Sequence, residues 1–416
     1  VQKYTPEWAE KITWVDAKKI KQAARLFAKS KPATLEWGVA LEQTPNCFQT
    51  VRAVSLIPGI TGNFDVPGGW IEGMHLLPDP EVHTDKLPRE MKLKRLGESQ
   101  FRVLAGAHNE FPSAHIPSLF KAMSKGEPYP VKAFLLFGNN GLLGFSNTKE
   151  TYKTLMGLDF ICAMDLFMTP TCELADIVLP AASWLELDQL FGVPSLAAHV
   201  VLVQKKVTRT WECKSDEEVF CELAKKLGLD YGAETPNDIF NEQLSVTAKN
   251  FRQFKDIDFE KLKELNYISV PIEYRKYEKR GFNTPSGKME IYSSVLESLG
   301  YEPLPYYQEP PESPVSKPKL AKEYPLILTT GGRVPNFFHS ENRQMPSLRK
   351  GHPDPVVEIH RHTGEKLGIK DGDWIYIETL RGRITQKAKL TEGIDPNVVN
   401  CQHGWWYPEI KTPDHG

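Results

Sequence analysis

The chain is 416 residues long, with 40% hydrophobic and 25% charged residues, which allows a large buried core and roughly two to four domains. Its 51 basic and 53 acidic side chains leave a net charge of −2, excluding an overall pull toward nucleic acid or an anionic membrane, so any anionic ligand must be held by local groups. No apolar run approaches the ~18 residues of a membrane span, and the opening VQKYTPEWAEKITW has neither the basic start nor the apolar stretch of a secretion signal.

From Asp16, a plausible N-cap, AKKIKQAARLFAKS sets Ile20, Ala23, Ala24 and Phe27 on one helical face, closed by Pro32. TLEWGVAL then reads as a strand, a second helix runs from Cys47 to about Ile57, and TGNFDVPGG ends this unit of β/α alternation. Pro78 to Gly106 is charged and irregular, a surface excursion or linker. Beyond it, Lys132 to Phe137 reads as a buried strand, Thr148 to Met156 as a helix, Asp159 to Phe167 as a strand and Asp176 to Ala181 as a short third. Ser215 and Glu218 form a capping box for EVFCELAKKLG. This alternation predicts doubly wound, mostly parallel sheets.

Tyr301 to Pro325 is proline-rich, a linker or wrapping arm. PLILTT, DWIYIET, RGRITQKAKL and NVVNCQ follow as strands, with one short helix from Arg361 to Leu367, a pattern that predicts a small β-barrel. The expected domains are an α/β domain over 1–77, an α/β dinucleotide-binding domain over 78–310 and the barrel over 320–416. The chain begins at Val1 without a methionine and stops at PDHG after a strand-like segment, and it is expected to be part of a longer protein.

The segment FGNNG, Phe137 to Gly141, follows a strand, so its amides emerge where parallel sheets dock nucleotides, although a turn that merely leaves a strand looks the same. Asp165 ends the next strand, where a carboxylate can accept paired hydrogen bonds from a guanine. Thr169 and Thr171 follow at the entry of a short helix, whose N-terminus suits a phosphate; alternatively Asp165 and Thr169 only cap that helix. TTGGRVPNFFHSENRQ gathers Arg333, His339, Arg343, two glycines and several amide or hydroxyl donors, which is either an anion cradle or a solvated basic loop. CQHGWW places Gln402 and His403 at a strand end beside two tryptophans, as would a hairpin closing a core. Cys47, Cys162, Cys172, Cys213, Cys221 and Cys401 form no C-x-x-C and read as unpaired, mostly buried thiols. His360 and His362 read as solvent-facing at a helix start, and H-E-x-x-H, G-x-S-x-G, G-x-x-x-x-G-K-[ST] and G-x-G-x-x-G are all absent. No residue is assigned to catalysis or to a metal.

Taken in order, DAKKIKQAARLFAKSKPATLEWGVALEQTPN, LIPGITGNFDVPGGW, FGNNG, DLFMTPTCELADIVLPAASWLE, TPSGKMEIYS, TTGGRVPNFFHSENRQMPSLR, LGIKDGDWIYIETLRGRITQKAKL and HGWWYPE resemble the dimethyl-sulfoxide-reductase family of molybdopterin oxidoreductases over nearly the whole chain. The resemblance implies two molybdopterin guanine dinucleotides holding one Mo or W ion, and a C-terminal barrel of six strands and double-psi type. It implies that Asp165 reads a guanine with Gly138, Asn139, Asn140, Thr169 and Thr171 around that dinucleotide. Thr330, Gly332, Arg333, His339, Ser340, Arg343 and Gln344 would hold pterin or phosphate, and Gln402 and His403 would close over the site. Asn140 departs from the family by standing where many members have proline, and NGLLG, Asn140 to Gly144, is looser than usual.

The family's 4Fe-4S cysteines and metal ligand fall upstream of the matched region, so the piece is expected to be inactive alone. The implied activity is two-electron or oxygen-atom transfer in anaerobic metabolism, with a small-molecule substrate, an iron–sulfur electron-transfer subunit as partner and the prokaryotic cytoplasm as the favoured compartment. The alternatives are a non-redox tungsten hydratase resembling acetylene hydratase, and a cofactor-free structural subunit like the large subunit of respiratory complex I.

Overall fold

The computed structural model describes residues 2–78, 88–101, 114–192 and 199–409. The chain divides into two compact units, one of Val1–Leu76, Gly192–Val200 and Ser269–Pro311, the other of Leu77–Phe191, Val201–Ile268 and Glu312–Gly416.

The first unit contains the helices Pro6–Thr13, Ala17–Lys29 and Cys47–Ile60, later joined by Lys276–Arg280 and Ser294–Ser298. Asp16 does cap the second of these, accepting from Lys18 N–H at 2.6 Å. The expected strand TLEWGVAL is not formed. Residues 33–38 carry no ladder among the described residues, and the chain then turns helical at Val39–Glu42. A strand is defined by its neighbour's hydrogen bonds, and among the described residues no strand pairs with this stretch, so the β/α alternation expected over 1–77 is not formed there.

In the second unit β1 (Ala133–Phe137), β2 (Phe160–Asp165) and β3 (Ile177–Pro180) form a parallel sheet in that order. The helix Thr148–Met156 lies between β1 and β2 as predicted. Leu136, Leu155, Ile161, Ala163 and Cys172 pack into one core cluster. β1 is less buried than expected because it is an edge strand, and Leu135 stays 39% exposed. Of the irregular excursion near Pro78, residues 79–87 and 102–113 lie outside the described residues, and Arg89–Leu93 is a short helix.

A second sheet consists of β4 (Gln189–Phe191), β5 (Val200–Gln204) and β6 (Tyr267–Ser269). Its β4 and β5 run antiparallel, so the mostly parallel expectation holds for the first sheet and not for this one. The capping box of Ser215 and Glu218 opens the helix Asp216–Leu227 as read from the sequence. Two helices not anticipated follow, Pro236–Asn250 and Phe259–Leu265.

The last sheet contains β7 (Ile327–Thr329), β8 (Val356–His360), β9 (Trp374–Thr379), β10 (Gly382–Thr391) and β11 (Val398–Cys401), in the order β7-β11-β8-β10-β9. Its central strand, β8, was not read from the sequence, yet VVEIH alternates and buries Val357 and Ile359 in the core with Ala388, Val399 and Cys401. β8 pairs parallel with β10 and antiparallel with β11. The described residues carry five strands here, with β7 and β9 at the two ends, so the sixth strand and barrel closure expected from the resemblance are not present among them. All six cysteines are free, and all but Cys47 are buried. No helix among the described residues is long and apolar enough to cross a membrane.

Because Ile359 is 2% exposed in the central strand, Ile359→Ala should cost about 2–5 kcal/mol in urea unfolding. A loss below about 1 kcal/mol would contradict a packed core around β8.

Candidate functional site

β7 and β11 are parallel neighbours, so the segments that follow them leave the sheet at the same end. This is why Thr330 to Gln344 meets Gln402 to Trp406, although some sixty residues separate them in sequence. Arg343 is the junction. It is 1% exposed, donates from Nε to Gly404 O (2.9 Å) and from Nη2 to His339 O (3.0 Å) and His403 O (3.2 Å). Its guanidinium carbon lies 4.0 Å from the centroid of Trp405 and 4.5 Å from that of Phe337. Its Nη1 is buried with no partner among the described residues. Burial, with the like charge of Arg349, pushes its pKa down to about 10, which leaves it cationic at neutral pH.

Three further side chains form a line beside it. Arg333 Nη1 lies 2.9 Å from His339 Nε2, His339 Nδ1 lies 2.8 Å from His403 Nε2, and His403 Nδ1 lies 2.8 Å from the Thr330 carbonyl. Burial, then Arg333, then His403 hold the His339 pKa below that of free histidine. His339 and Asn342 adopt positive φ (54° and 70°), a conformation costly for non-glycine residues. A Cβ on Gly332 would sit 2.5 Å from Asn400 Nδ2, so only glycine fits there without a shift. Gly332, Arg333, Val334, Phe337, His339, Arg343 and His403 line a crevice of about 10 Å³, room for a single water.

Gln402 is occupied differently from what the sequence led us to expect. Its Oε1 accepts from Val356 N–H (3.0 Å) and Trp405 Nε1–H (2.8 Å) and lies 2.9 Å from His352 Nε2, so it braces the core of this sheet. Gln344 Oε1 is buried with no partner among the described residues, and Ser340 packs against Gly404.

At the carboxyl end of the parallel sheet, Gly138 has φ +56° and space where a Cβ would be, and its N–H donates to Met164 O at 2.9 Å. Thr171 Oγ1 donates to Asn140 Oδ1 (2.8 Å) and accepts from Leu142 N–H (2.9 Å), while Asn140 Nδ2 is buried without a partner among the described residues. Thr169 Oγ1 accepts from Cys172 N–H at 3.2 Å, a capping contact. Asn139 is exposed, with its Oδ1 near Gly141. Asp165 accepts from Phe167 N–H at 3.3 Å. Burial raises its pKa against the opposing pull of the Phe167 and Leu166 amides, and no cation is among the causes.

A cleft of about 480 Å³ has walls from both regions, with Leu166 and Phe167 following Asp165 on one side and Glu341 and Asn342 preceding Arg343 on the other. Between them stand Trp184, Trp211 and Glu186, which sequence reasoning did not select, although Trp184 and Glu186 lie within ADIVLPAASWLE. Glu186 anchors the cleft wall, accepting from Ser183 N–H (3.0 Å), Ser183 Oγ (2.8 Å), Thr210 N–H (2.9 Å) and the Thr210 hydroxyl. The Ser183 amide and hydroxyl, then the Thr210 amide, hold its pKa at about 2. Among the described residues no three His, Cys, Asp or Glu side chains are grouped to hold a metal ion.

Fold and site thus combine a parallel sheet that ends at Asp165, a second sheet whose adjoining loops bury Arg343, and a cleft walled by the residues that follow the one and precede the other. The molybdopterin oxidoreductase family profile matches residues 20–226, and the molydopterin dinucleotide binding domain profile matches 326–416. The chain belongs to the molybdopterin oxidoreductase family. It is 35% identical to acetylene hydratase of Syntrophotalea acetylenica over 98% of this chain and 58% of that protein. It is 31% identical to dopamine dehydroxylase of Eggerthella lenta over 99% of this chain and 48% of that one. The solved structure of acetylene hydratase from Pelobacter acetylenicus superposes with a TM-score of 0.86 at 32% identity, covering 99% of this chain and 59% of that one. The chain therefore spans about half the length of these relatives.

Two outcomes follow. Arg343→Met should cost about 3 kcal/mol or more in chemical denaturation, because three carbonyls lose a charged donor; a loss under about 1 kcal/mol would contradict the junction. The folded pKa of Glu186 lies below its ordinary 4.5, so its contribution is present above pH 4.5 and is lost as pH falls toward about 2. Glu186→Gln should flatten that part of the stability–pH profile, and an unchanged slope would argue against the anchoring role.

Proposed function

We propose that this chain is the cofactor-enclosing part of a molybdenum or tungsten bis-molybdopterin guanine dinucleotide enzyme that carries out two-electron or oxygen-atom transfer in anaerobic metabolism. The observation that carries the reading is Arg343, a buried cation whose Nη1 has no partner among the described residues, in a glycine-containing loop that also carries Arg333. Such a group gains most from an acceptor-rich anion, and pterin and pyrophosphate both supply acceptors. Asp165 complements it, since a carboxylate whose pKa is raised by burial gains from the paired N–H donors of a guanine.

Arg333, Arg343 and Gln344, with the backbone at Thr330, Gly332 and Ser340, would hold pterin or phosphate, His339 would line it, and His403 would close over the site from behind His339. Gly138, Asn139, Asn140 and Thr171 would surround the guanine end, with Thr169 supporting them as a cap. The crevice beside Arg343 admits no more than about one water, so the cofactor would lie against these residues along the open cleft. When bound, the group supplies the redox or Lewis-acid chemistry, and the protein supplies orientation and electrostatics. The metal ligand, a 4Fe-4S cluster and docking of an iron–sulfur electron-transfer subunit would belong to the rest of the enzyme. A cytoplasmic location in a prokaryote accords with this assignment.

A second reading has support of its own. The 35% identity to acetylene hydratase extends along 98% of the chain, which favours hydration at a tungsten site without net electron transfer.

Mo, W and Fe measured by mass spectrometry, with guanosine monophosphate released by acid, on protein purified without oxygen, decide among these. Roughly two nucleotides per Mo or W are expected, and Asp165→Ala should abolish their retention. Tungsten with substrate turnover in the absence of any electron donor or acceptor would establish the hydratase. A folded protein with neither metal nor nucleotide would favour the structural-subunit alternative and overturn the proposal.

A further inference from the structure

The line from Thr330 to Arg333 runs in one direction only. A carbonyl oxygen accepts and never donates, so His403 must carry a proton on Nδ1 to use the 2.8 Å contact with Thr330. In the neutral ring Nε2 is then a lone pair, and the 2.8 Å contact with His339 is made only if His339 Nδ1 is the donor. That leaves His339 Nε2 as a lone pair, and it faces a guanidinium nitrogen that can only donate, Arg333 Nη1 at 2.9 Å. The acceptor-only group at one end and the donor-only group at the other select the same tautomer for both rings, protonated at Nδ1.

The fold commits strain and charge to hold this arrangement. His339 keeps φ at +54°, and Arg343 bonds the carbonyls of both histidines, fixing the two rings relative to each other. The Phe338 ring meets the His339 ring edge-on at 4.7 Å and lies 5.8 Å from the Arg333 guanidinium carbon. Arg333 is itself exposed and would otherwise sample many rotamers. With one Nη1–H donated to His339, its remaining N–H donors have a set direction.

We propose that His403 and His339 are a positioning pair, a one-way hydrogen-bond relay from the Thr330 carbonyl that orients the Arg333 guanidinium toward a phosphate-type anion. The relay stands on the geometry alone, while the anion it serves rests on the cofactor reading above. His403 acts through His339 and touches no ligand in this role.

The test uses the full chain without cofactor, histidine-selective 15N magic-angle-spinning NMR, and titration with inorganic pyrophosphate. Wild-type protein at neutral pH should show both rings protonated at Nδ1, the tautomer that free histidine disfavours. His403→Asn retains a donor near Thr330 but has nothing that reaches His339. His339 then has no acceptor for its Nδ1–H and only Arg333 to select its tautomer, so the Nε2–H form should become detectable, and pyrophosphate affinity should fall about tenfold, the value of one charge-assisted hydrogen bond. His403→Gln carries an acceptor at the position of Nε2 and should keep the His339 tautomer and stay within about threefold of wild-type affinity. Mixed tautomers in the wild type would overturn the relay while leaving the cofactor reading intact. Fixed tautomers with unchanged affinity in His403→Asn would overturn the positioning role. Fixed tautomers with no pyrophosphate binding to wild type would overturn the anion and the cofactor reading together.

Discussion

The site depends on the burial of one guanidinium. Arg343 satisfies three carbonyls that belong to two chain segments, and it does so between two aromatic faces where water is excluded. A buried cation is costly unless it is bonded, and here the bonds to His339, His403 and Gly404 meet that cost. The same bonds hold the two segments in register. Gly404, at φ +64°, is needed for the approach, because a Cβ there would lie 3.2 Å from Ser340 N. The positive φ of His339 and Asn342 is the local cost of bringing the loop into that position.

The parallel pairing of β7 with β11 is the structural precondition. Parallel neighbours need not be close in sequence, since the connection between them can be long, and here it contains β8, β9 and β10. That order places the loops after β7 and β11 side by side, and it places β8 at the centre, where Val357 and Ile359 anchor the core beneath them. Gln402, the first residue past β11, shows how closely core and site are coupled. Its side chain ties Val356 at the start of β8 to Trp405, one of the two rings that enclose Arg343.

The sequence was legible where local rules decide the structure. Asp16, the Ser215 and Glu218 box and the helix Thr148–Met156 follow from capping and periodicity, and the structure has them in place. It was less legible where a partner decides. TLEWGVAL has strand composition but no ladder partner among the described residues, while VVEIH, with only five residues, lies at the centre of a sheet because β10 and β11 flank it. At the site the residue types were visible and their engagements were not. Arg343 was expected to hold a ligand and Gln402 to close over the site, and the sequence did not show that Arg343 also staples two loops or that Gln402 braces the core. Glu186 was passed over because a glutamate between Leu185 and Leu187 gives no sign that Ser183 and Thr210 will surround it; the residue in fact sits at SWLEL, and only the fold brings Thr210 to it.

Charge distribution explains how a chain of net charge −2 can present a locally positive loop. Arg333 and Arg343 lie within one loop, and Arg349 is close enough to lower the Arg343 pKa. Arg349 has a carboxylate partner, Glu409 at 3.2 Å, and stacks near Tyr407 at 5.0 Å. Arg343 has carbonyls instead, which accept from its Nε and Nη2 and carry no negative charge, and Arg333 has a histidine that accepts without carrying a negative charge. Two cationic groups are thus hydrogen-bonded but not neutralised, so the local field stays positive where the geometry is most constrained. Asp165, which precedes Leu166 and Phe167 of the cleft wall, accepts from backbone amides and has no cation among the causes of its shift. Among the described residues Arg333, Arg343 and Asp165 are not paired with an opposite charge, and burial works against the charged form of both Arg343 and Asp165.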